Sequence, residues 1–261
     1  MDNRVLAIAS HPDDAEFLCA GTLALLRQKG WGIHIATMTA GDCGSKELDK
    51  KQISQIRKKE AAKSAAILDG GYEWLGSEDL YIFYDRPTIL RVVTHMRKIQ
   101  PQLVLTMSPS CYMIDHEITS MLAQTACFAG GMVNIETPGI PPMDFIPHLY
   151  YADPLEGKDK FGEIITPTTM VDITSAMEIK TDMLACHESQ REWLRQHHGM
   201  DEYIHSMKRL AEDRGSIMGV KYAEGFRQHL GHAFPQNNLI RDVLSPWVHQ
   251  DPSASPLNNS Q

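Results

Sequence analysis

Side chains that can bind a metal or transfer a proton stand together near the amino terminus, at His11, Asp13 and Asp14. An imidazole nitrogen with carboxylate oxygens is a ligand mixture that suits zinc well and other divalent first-row metals tolerably. Two carboxylates beside a histidine would repel a phosphate, and the glycines of a dinucleotide-binding turn are absent from this part of the sequence. The sequence here therefore predicts a cation site rather than a nucleotide site.

A third ligand for this cation has to come from another part of the chain, because a catalytic zinc normally has three protein ligands and one position for water. The best candidate is His116, which with His11 and Asp14 would complete the set. Asp13 is then the predicted general base, which takes a proton from water as that water attacks a carbonyl. Asp115 is also predicted to assist catalysis, either by orienting a ligand or by tuning a neighbouring proton carrier.

Helix capping is a plainer explanation of residues 11–14, because aspartate is a favoured N-cap residue and a helix is predicted from Ala15. An isolated Asp-His pair is weaker evidence still. What favours the metal interpretation is position, since each group follows a predicted buried strand. Functional side chains in α/β proteins collect at such strand ends.

Short apolar runs alternate with helical patterns through the first 107 residues. The alternation predicts an α/β fold, a Rossmann-like three-layer sandwich with a mostly parallel sheet and helices on both faces. Its loops after the first and fourth strands carry the candidate ligands. The predicted strands are 5–9, 33–39, 72–75 and 103–107, and the predicted helices are 15–29, 52–68 and 87–99.

The carboxyl-terminal part beyond about Pro138 is richer in proline, and we interpret it as an α/β extension of one domain covering residues 1–250. The polar residues 251–261 are predicted to form a disordered tail. The long helix predicted from about Ser175 could form an interface between two copies of the chain, which would give a homo-oligomer. Strands are predicted at 149–151 and 170–172, and helices from about Ser175 to His197 and from Asp201 to Arg214.

Composition excludes several classes of partner. The 261 residues include 25 basic and 33 acidic side chains, a net charge of −8, and 43% are hydrophobic. Such a chain can bury a large core and has no electrostatic footprint for nucleic acid. The longest apolar stretch, 121–133, is interrupted by polar residues and falls short of the roughly 20 residues of a membrane span. We therefore expect neither nucleic-acid binding nor membrane insertion.

The five cysteines are odd in number and widely spaced, and the sequence contains no C-x-x-C pair. This pattern is typical of reduced thiols and not of a disulfide framework or a thiolate zinc site. The apolar run 5–9 is too short for the core of a signal peptide. Together these features predict a cytoplasmic protein.

Several motifs together resemble those of the PIG-L/LmbE-like N-deacetylases, over about residues 4 to 230. That family includes the de-N-acetylase of GlcNAc-phosphatidylinositol. The motifs are HPDDAE at residues 11–16, GTL at 21–23, TAGDCG at 39–44, RKKEA at 57–61, LGSED at 75–79, DH at 115–116, HESQ at 187–190 and YAEGF at 222–226.

The resemblance implies a zinc-dependent amide hydrolase that removes an acetyl or other small acyl group from the amine of an N-acylated amino sugar or related small molecule. It implies a zinc held by His11, Asp14 and His116, with Asp13 as the base. It also implies substrate contacts from Arg57, although Arg57 could instead form a surface ion pair with Glu60.

Three further residues take implied roles from the same resemblance. Asp79 would contact a sugar, and Asp42, one methylene shorter than the glutamate of the family, would alter the reach toward the substrate. Tyr112 lies close to where some members place a tyrosine that stabilises an oxyanion. A buried core tyrosine is the plainer alternative for Tyr112.

One departure from the family pattern concerns proton transfer. The family often has a histidine where this chain has Met113, and methionine cannot carry a proton. Either Asp13 acts as both base and acid, or His148 or His187 replaces the missing histidine, His187 being also a candidate for substrate contact. A hydrogen-bonded structural histidine is the alternative for both. The alternative function is that the chain has lost catalytic activity and is a metal-binding relative with a regulatory or scaffold role.

Overall fold

A computed structural model describes residues 3–191 and 202–249. Its helices and strands alternate through the amino-terminal half, as the hydrophobic pattern predicts. In this half they are β1 (Arg4–Ala9), α1 (Asp14–Gln28), β2 (Gly32–Thr39), α2 (Lys50–Ala66), β3 (Gly71–Ser77), α3 (Arg86–Ile99), β4 (Leu103–Thr106) and α4 (Ile114–Ala129). The later elements are β5 (His148–Ala152), β6 (Thr169–Asp172), α5 (Met177–Ala185), α6 (Glu202–Met218), β7 (Ala223–Gln228), α7 (Leu239–Leu244) and β8 (Val248–His249).

All eight strands form one sheet with the order β3-β2-β1-β4-β5-β7-β6-β8. Strands β3, β2, β1, β4 and β5 pair in parallel, and the remaining strands are added in antiparallel orientation. The predicted α/β fold with a mostly parallel sheet is therefore confirmed. The chain order reverses between β1 and β4, and a crevice at such a point is where open α/β sheets bind ligands.

Strand β1 is buried on both faces, which explains its continuous apolar run. Because side chains alternate along a strand, Val5 and Ala7 face one hydrophobic core while Leu6 and Ile8 face the other. The first core is shared with α1, α5, α6 and α7, and the second with α3 and α4. Helices thus cover both faces, and β1 and β4 lie at the centre with their carboxyl ends side by side.

The predicted long helix from Ser175 to His197 is wrong as a single element. Helix α5 ends at Ala185, and a separate helical segment begins at residue 188. The break turns His187 into the interior, and Glu60 accepts hydrogen bonds from the backbone N–H and the hydroxyl of Ser189. Glu60 therefore serves this second segment and not Arg57. Residues 192–197 of this predicted helix, the first residue of the next predicted helix (201) and the predicted tail lie outside the described residues.

Four of the described helices and strands have no counterpart in the sequence prediction: α4, β7, α7 and β8. Strand β7 carries Glu224, a residue type that is uncommon in buried strands. Its carboxylate is buried, but it accepts hydrogen bonds from Lys180 Nζ, from the Thr22 backbone N–H at 2.7 Å and from the Thr22 hydroxyl at 2.6 Å.

Within residues 3–191 and 202–249, the structure contains no helix with the length and apolar character needed to cross a membrane.

Candidate metal centre and active-site cleft

The candidate ligands converge where β1 and β4 end. His11 and Asp14 lie between β1 and the first turn of α1, and His116 lies in the first turn of α4. Their ligand atoms all lie within 4.8 Å of one another. The two segments are distant in sequence but adjacent in space because β1 pairs in parallel with β4.

Asp14 is the centre of this group. Its Oδ2 atom lies 3.2 Å from His11 Nδ1, and its Oδ1 atom lies 3.5 Å from His116 Nε2. All three side chains are buried, and the ring centroids of His11 and His116 are 5.5 Å apart. Two imidazole nitrogens and a carboxylate facing one another fit the donor set of zinc and related divalent metals.

The rear nitrogens of both histidine rings also have partners. His11 Nε2 lies 3.1 Å from Asp115 Oδ2, which also accepts a hydrogen bond of 2.8 Å from the Leu80 backbone N–H. His116 Nδ1 lies 3.1 Å from Cys111 Sγ. Metal-ligating histidines are commonly held from behind in this way. Asp115 is fully buried behind His11, the geometry expected of a residue that orients a ligand.

The electrostatics of this group favour positive charge on His11, whereas burial lowers the pKa of His116. Burial lowers the pKa of His11, but hydrogen bonds with Asp115 and Asp14 outweigh burial and raise the pKa to about 10. Burial raises the pKa of Asp14, yet the charges of His116 and His11 hold it below its ordinary value. The surroundings thus stabilise an ionised carboxylate and a cation at one point, and a divalent metal is such a cation.

Asp13 adopts a strained backbone conformation with φ of 110° at the N-cap position of α1. Within the described chain its side chain makes no capping hydrogen bond, so capping by Asp13 does not explain the motif. Its Oδ2 atom instead accepts a hydrogen bond of 3.1 Å from Arg57 Nη2. Strained backbone at a partly buried acidic residue is typical of functional sites.

Arg57 is buried and holds Asp13 from the side of α2. Its Nη2 group also donates to the Pro12 carbonyl oxygen at 2.6 Å. The guanidinium passes directly over Gly41, where a Cβ atom would collide with it and where φ is +70°. Burial raises the pKa of Asp13 while the charge of Arg57 lowers it, and the net direction is upward. Arg57 lines the cleft, yet its hydrogen bonds fix Asp13.

A second buried pair lies behind Asp13. His187 is 0% exposed, and its Nε2 atom lies 3.2 Å from Glu16 Oε1. Burial lowers the pKa of His187, but the charge of Glu16 outweighs burial and raises it. His187 is not among the residues that line the cleft. The expectation that His187 contacts substrate is therefore corrected, because its side chain is fully buried and does not line the cleft.

His148 is remote from this site. It is the first residue of β5 and pairs with Leu103 at the amino-terminal end of β4, whereas the candidate ligands lie at the carboxyl ends. Its Nε2 atom lies 2.9 Å from Asn237 Oδ1. The expectation of a catalytic His148 is therefore corrected in favour of the structural alternative.

The two acidic residues expected at the substrate hold one another in place. Asp42 Oδ1 accepts a hydrogen bond of 2.7 Å from the Asp79 backbone N–H, and Asp79 Oδ2 accepts one of 2.8 Å from the Cys43 backbone N–H. Lys50 Nζ lies 3.0 Å from Asp42. Asp79 lines the cleft, and its Oδ1 atom is buried with no hydrogen-bond partner in the described chain. Asp42 supports Asp79 and does not itself line the cleft.

The group opens into a cleft of about 1380 Å³. Tyr112 stands at its mouth with 64% of the residue exposed, and its ring meets His116 edge-on at 5.5 Å between centroids. The buried-core alternative for Tyr112 is thereby wrong. Tyr203, from the first turn of α6, lies in the cleft wall, and the charge of Asp13 contributes to raising the pKa of its hydroxyl, after burial. Nothing in the local sequence signals Tyr203, since Asp13 is far away in the chain.

Comparisons with known proteins identify the relatives of this chain. The sequence profile of the GlcNAc-PI de-N-acetylase family, PIG-L, matches residues 6–127. The diacetylchitobiose deacetylase of Thermococcus kodakarensis is 28% identical over 234 residues, which cover 86% of this chain and 82% of the relative. The 4-oxalmesaconate hydratase of Pseudomonas putida is 26% identical over 243 residues, which cover 85% and 87%.

A solved structure extends the comparison to the fold. The N,N'-diacetylchitobiose deacetylase from Pyrococcus horikoshii, in complex with its inhibitor MPG, superposes with a TM-score of 0.75 at 26% sequence identity. The match covers 91% of this chain and 88% of that structure. The resemblance expected from the motifs is confirmed, and the relatives include both deacetylases and a hydratase.

Proposed function

We propose that this chain is a metal-dependent hydrolase of N-acylated amines, because residues 6–127 match the sequence profile of the PIG-L family. The reaction is removal of an acetyl or other small acyl group from an N-acylated amino sugar or related compound. The observation that supports this proposal is the convergence of His11, Asp14 and His116 in one cleft with Asp13. The relatives that act as deacetylases support the same class of reaction.

His11, Asp14 and His116 would hold the metal, and zinc fits their donor atoms. When bound, zinc supplies Lewis acidity toward a carbonyl oxygen and lowers the pKa of water toward about 7. Asp115 and Cys111 stand behind the two histidine rings and keep their facing nitrogens directed inward. The proposal thus assigns a task to the side chains that lie behind the two histidine rings.

Asp13 is the general base in this mechanism, and it also serves as the acid. Its carboxylate takes the proton from the attacking water and returns it to the amine that leaves. The upward shift of its pKa favours both steps near neutral pH. Of the two histidines considered, His148 is remote and His187 is fully buried beside Glu16 and outside the cleft lining, so we assign both proton transfers to Asp13.

Two further side chains act on the substrate. The hydroxyl of Tyr112, at the mouth of the cleft beside His116, donates a hydrogen bond to the negative charge that develops on the carbonyl oxygen. Asp79 is assigned to a substrate hydroxyl because the residue lines the cleft and its carboxylate can accept a hydrogen bond there.

Hydration of a carbon-carbon double bond is the second candidate. A hydratase is related to this chain at nearly the same identity and coverage as the deacetylase. The chemistry also needs activated water and a positioned base, here Asp13. An unsaturated carboxylic acid would be the substrate class, and its carboxylate would need a cation from the cleft, which Lys158 lines.

The test compares both reactions on the full chain loaded with zinc. Acetate release from N-acetylated mono- and disaccharides is measured in parallel with the loss of ultraviolet absorbance of conjugated unsaturated acids. We expect acetate release that a chelator abolishes, and a loss of about 10² to 10⁴ in turnover for Asp13→Asn with metal retained. Asp182→Asn, an exposed carboxylate of α5, is the matched control.

The outcomes separate the candidates. Full turnover of Asp13→Asn would refute the mechanism. Activity only on unsaturated acids would show that the site catalyses hydration. Zinc binding without turnover in either assay would favour the catalytically silent relative.

A further inference from the structure

The two candidate histidine ligands are held from behind by unlike groups. The rear nitrogen of His11 meets a carboxylate, that of Asp115. The rear nitrogen of His116 meets a thiol, since Cys111 Sγ lies 3.1 Å from Nδ1. Cys111 is 2% exposed and His116 is 1% exposed, so water does not compete for this contact. The contact between Cys111 and His116 therefore belongs to the packed interior of the protein.

The direction of this hydrogen bond follows from the geometry. His116 Nε2 faces Asp14, so that nitrogen must carry the lone pair if the ring binds a metal there. A neutral imidazole then carries its proton on Nδ1, and the sulfur of Cys111 accepts it. Because Nδ1 and Nε2 lie on opposite sides of the ring, Cys111 is behind the ligand and is not itself a ligand.

Cys111 is itself held in place by α4. Its backbone N–H donates to Glu117 Oε1 at 3.0 Å, and Glu117 Oε2 accepts a hydrogen bond of 2.9 Å from Lys160. Lys160 lies in a loop that lines the cleft. A chain of contacts thus runs from this loop through Glu117 and Cys111 to His116.

We propose that Cys111 is the positioning residue of His116, accepting the Nδ1 proton and so fixing the tautomer and ring orientation that a bound metal requires. The inference rests on the proposed metal centre. A thiol sulfur is a weak acceptor, weaker than the carboxylate behind His11. The contribution of Cys111 to metal affinity is therefore smaller than that of Asp115, and His116 is the less firmly held of the two histidine ligands.

Three variants of the full chain test the role of Cys111. Cys111→Ala removes the acceptor, and Cys111→Ser replaces the sulfur by an oxygen acceptor. The matched control is Cys127→Ala, which removes a fully buried thiol from the core shared with α3 and α4. The affinity for Zn²⁺ is measured by competition with a chromogenic chelator. We expect about tenfold weaker binding for Cys111→Ala, the lower end of the usual range for such partners, and recovery of most of the affinity in Cys111→Ser. Cys127→Ala should bind as the unmodified chain does.

Nitrogen NMR of the zinc-loaded, unmodified chain reports which ring nitrogen of His116 carries the proton. This measurement needs no substitution and is therefore independent of any effect of a variant on folding. We expect the neutral His116 ring to be protonated at Nδ1. A proton at Nε2, or equal affinities of Cys111→Ala and Cys127→Ala, would overturn the role of Cys111 while leaving the metal centre intact. Failure of the unmodified chain to bind Zn²⁺ would instead refute the metal centre and the proposed function.

Discussion

Removing the guanidinium that faces the proposed base is the most demanding test of the site. In Arg57→Met, Asp13 keeps its buried position but loses the hydrogen bond of 3.1 Å from Nη2 and the opposite charge, while the Pro12 carbonyl loses its 2.6 Å donor. Breaking one side of a buried ion pair costs about 3 to 5 kcal/mol. We expect the lower end, because Asp13 can become protonated instead of staying charged.

The sign of the accompanying pH effect follows from Asp13. Burial already raises the pKa of Asp13, and the charge of Arg57 opposes that rise. Without Arg57 the pKa of Asp13 rises further, so a base that must be ionised is lost at neutral pH and recovered as pH increases. The acidic limb of the kcat/KM profile should therefore move to higher pH in Arg57→Met, with partial recovery in Arg57→Lys.

The assays are kcat/KM against pH and urea unfolding of the metal-free chain, with the exposed Arg241→Met as the control. The double variant Asp13→Asn with Arg57→Met isolates the pair, because removing Arg57 should be less harmful once Asp13 is neutral. We expect a coupling free energy of about 2 kcal/mol, within the range for residues in contact. An unshifted pH profile together with additive unfolding free energies would refute the assignment of Arg57 to Asp13.

Three other substitutions test separate parts of the structure. Asp115→Asn should weaken zinc binding about 10- to 100-fold in the chelator competition, more than Cys111→Ala does, and equal effects would contradict the ranking of the two partners. His148→Gln should leave acetate release unchanged. A large loss of acetate release would show that His148 takes part in proton transfer. For His95, burial is the leading cause that lowers the pKa from its ordinary 6.5 to about 4, so the native state resists protonation. Stability is then lost as pH falls from about 6.5 to about 4, by up to about 3 kcal/mol, and His95→Leu should flatten that part of the unfolding curve. An identical pH dependence of both chains would exclude this contribution.

Met113 illustrates how the site can depart from the family pattern without losing its geometry. It precedes α4 in an extended conformation and lines the cleft beside the candidate ligands. An apolar side chain there lowers the number of proton carriers near the reacting atoms. In the proposed mechanism, the upward shift of the Asp13 pKa would let this one carboxylate act as base and then as acid.

Much of the fold was readable from local pattern. Buried parallel strands appear as apolar runs, and the helices between them repeat every 3.6 residues, so the order of elements through Thr106 followed from neighbouring residues alone. The break at Cys186 and the polar strand β7 did not, because both depend on partners far away in the chain. Glu60 and Lys180 supply those partners.

The same division holds for the candidate site. The sequence by itself determined that His11, Asp14 and His116 have the right chemistry and follow strands, since residue type and strand ends are local properties. Only the tertiary structure decided which groups surround them: Arg57 on Asp13, Asp115 and Cys111 behind the rings, and Glu16 beside His187. The physical reason is that such contacts depend on strand register, loop conformation and burial, which arise only when distant segments pack together.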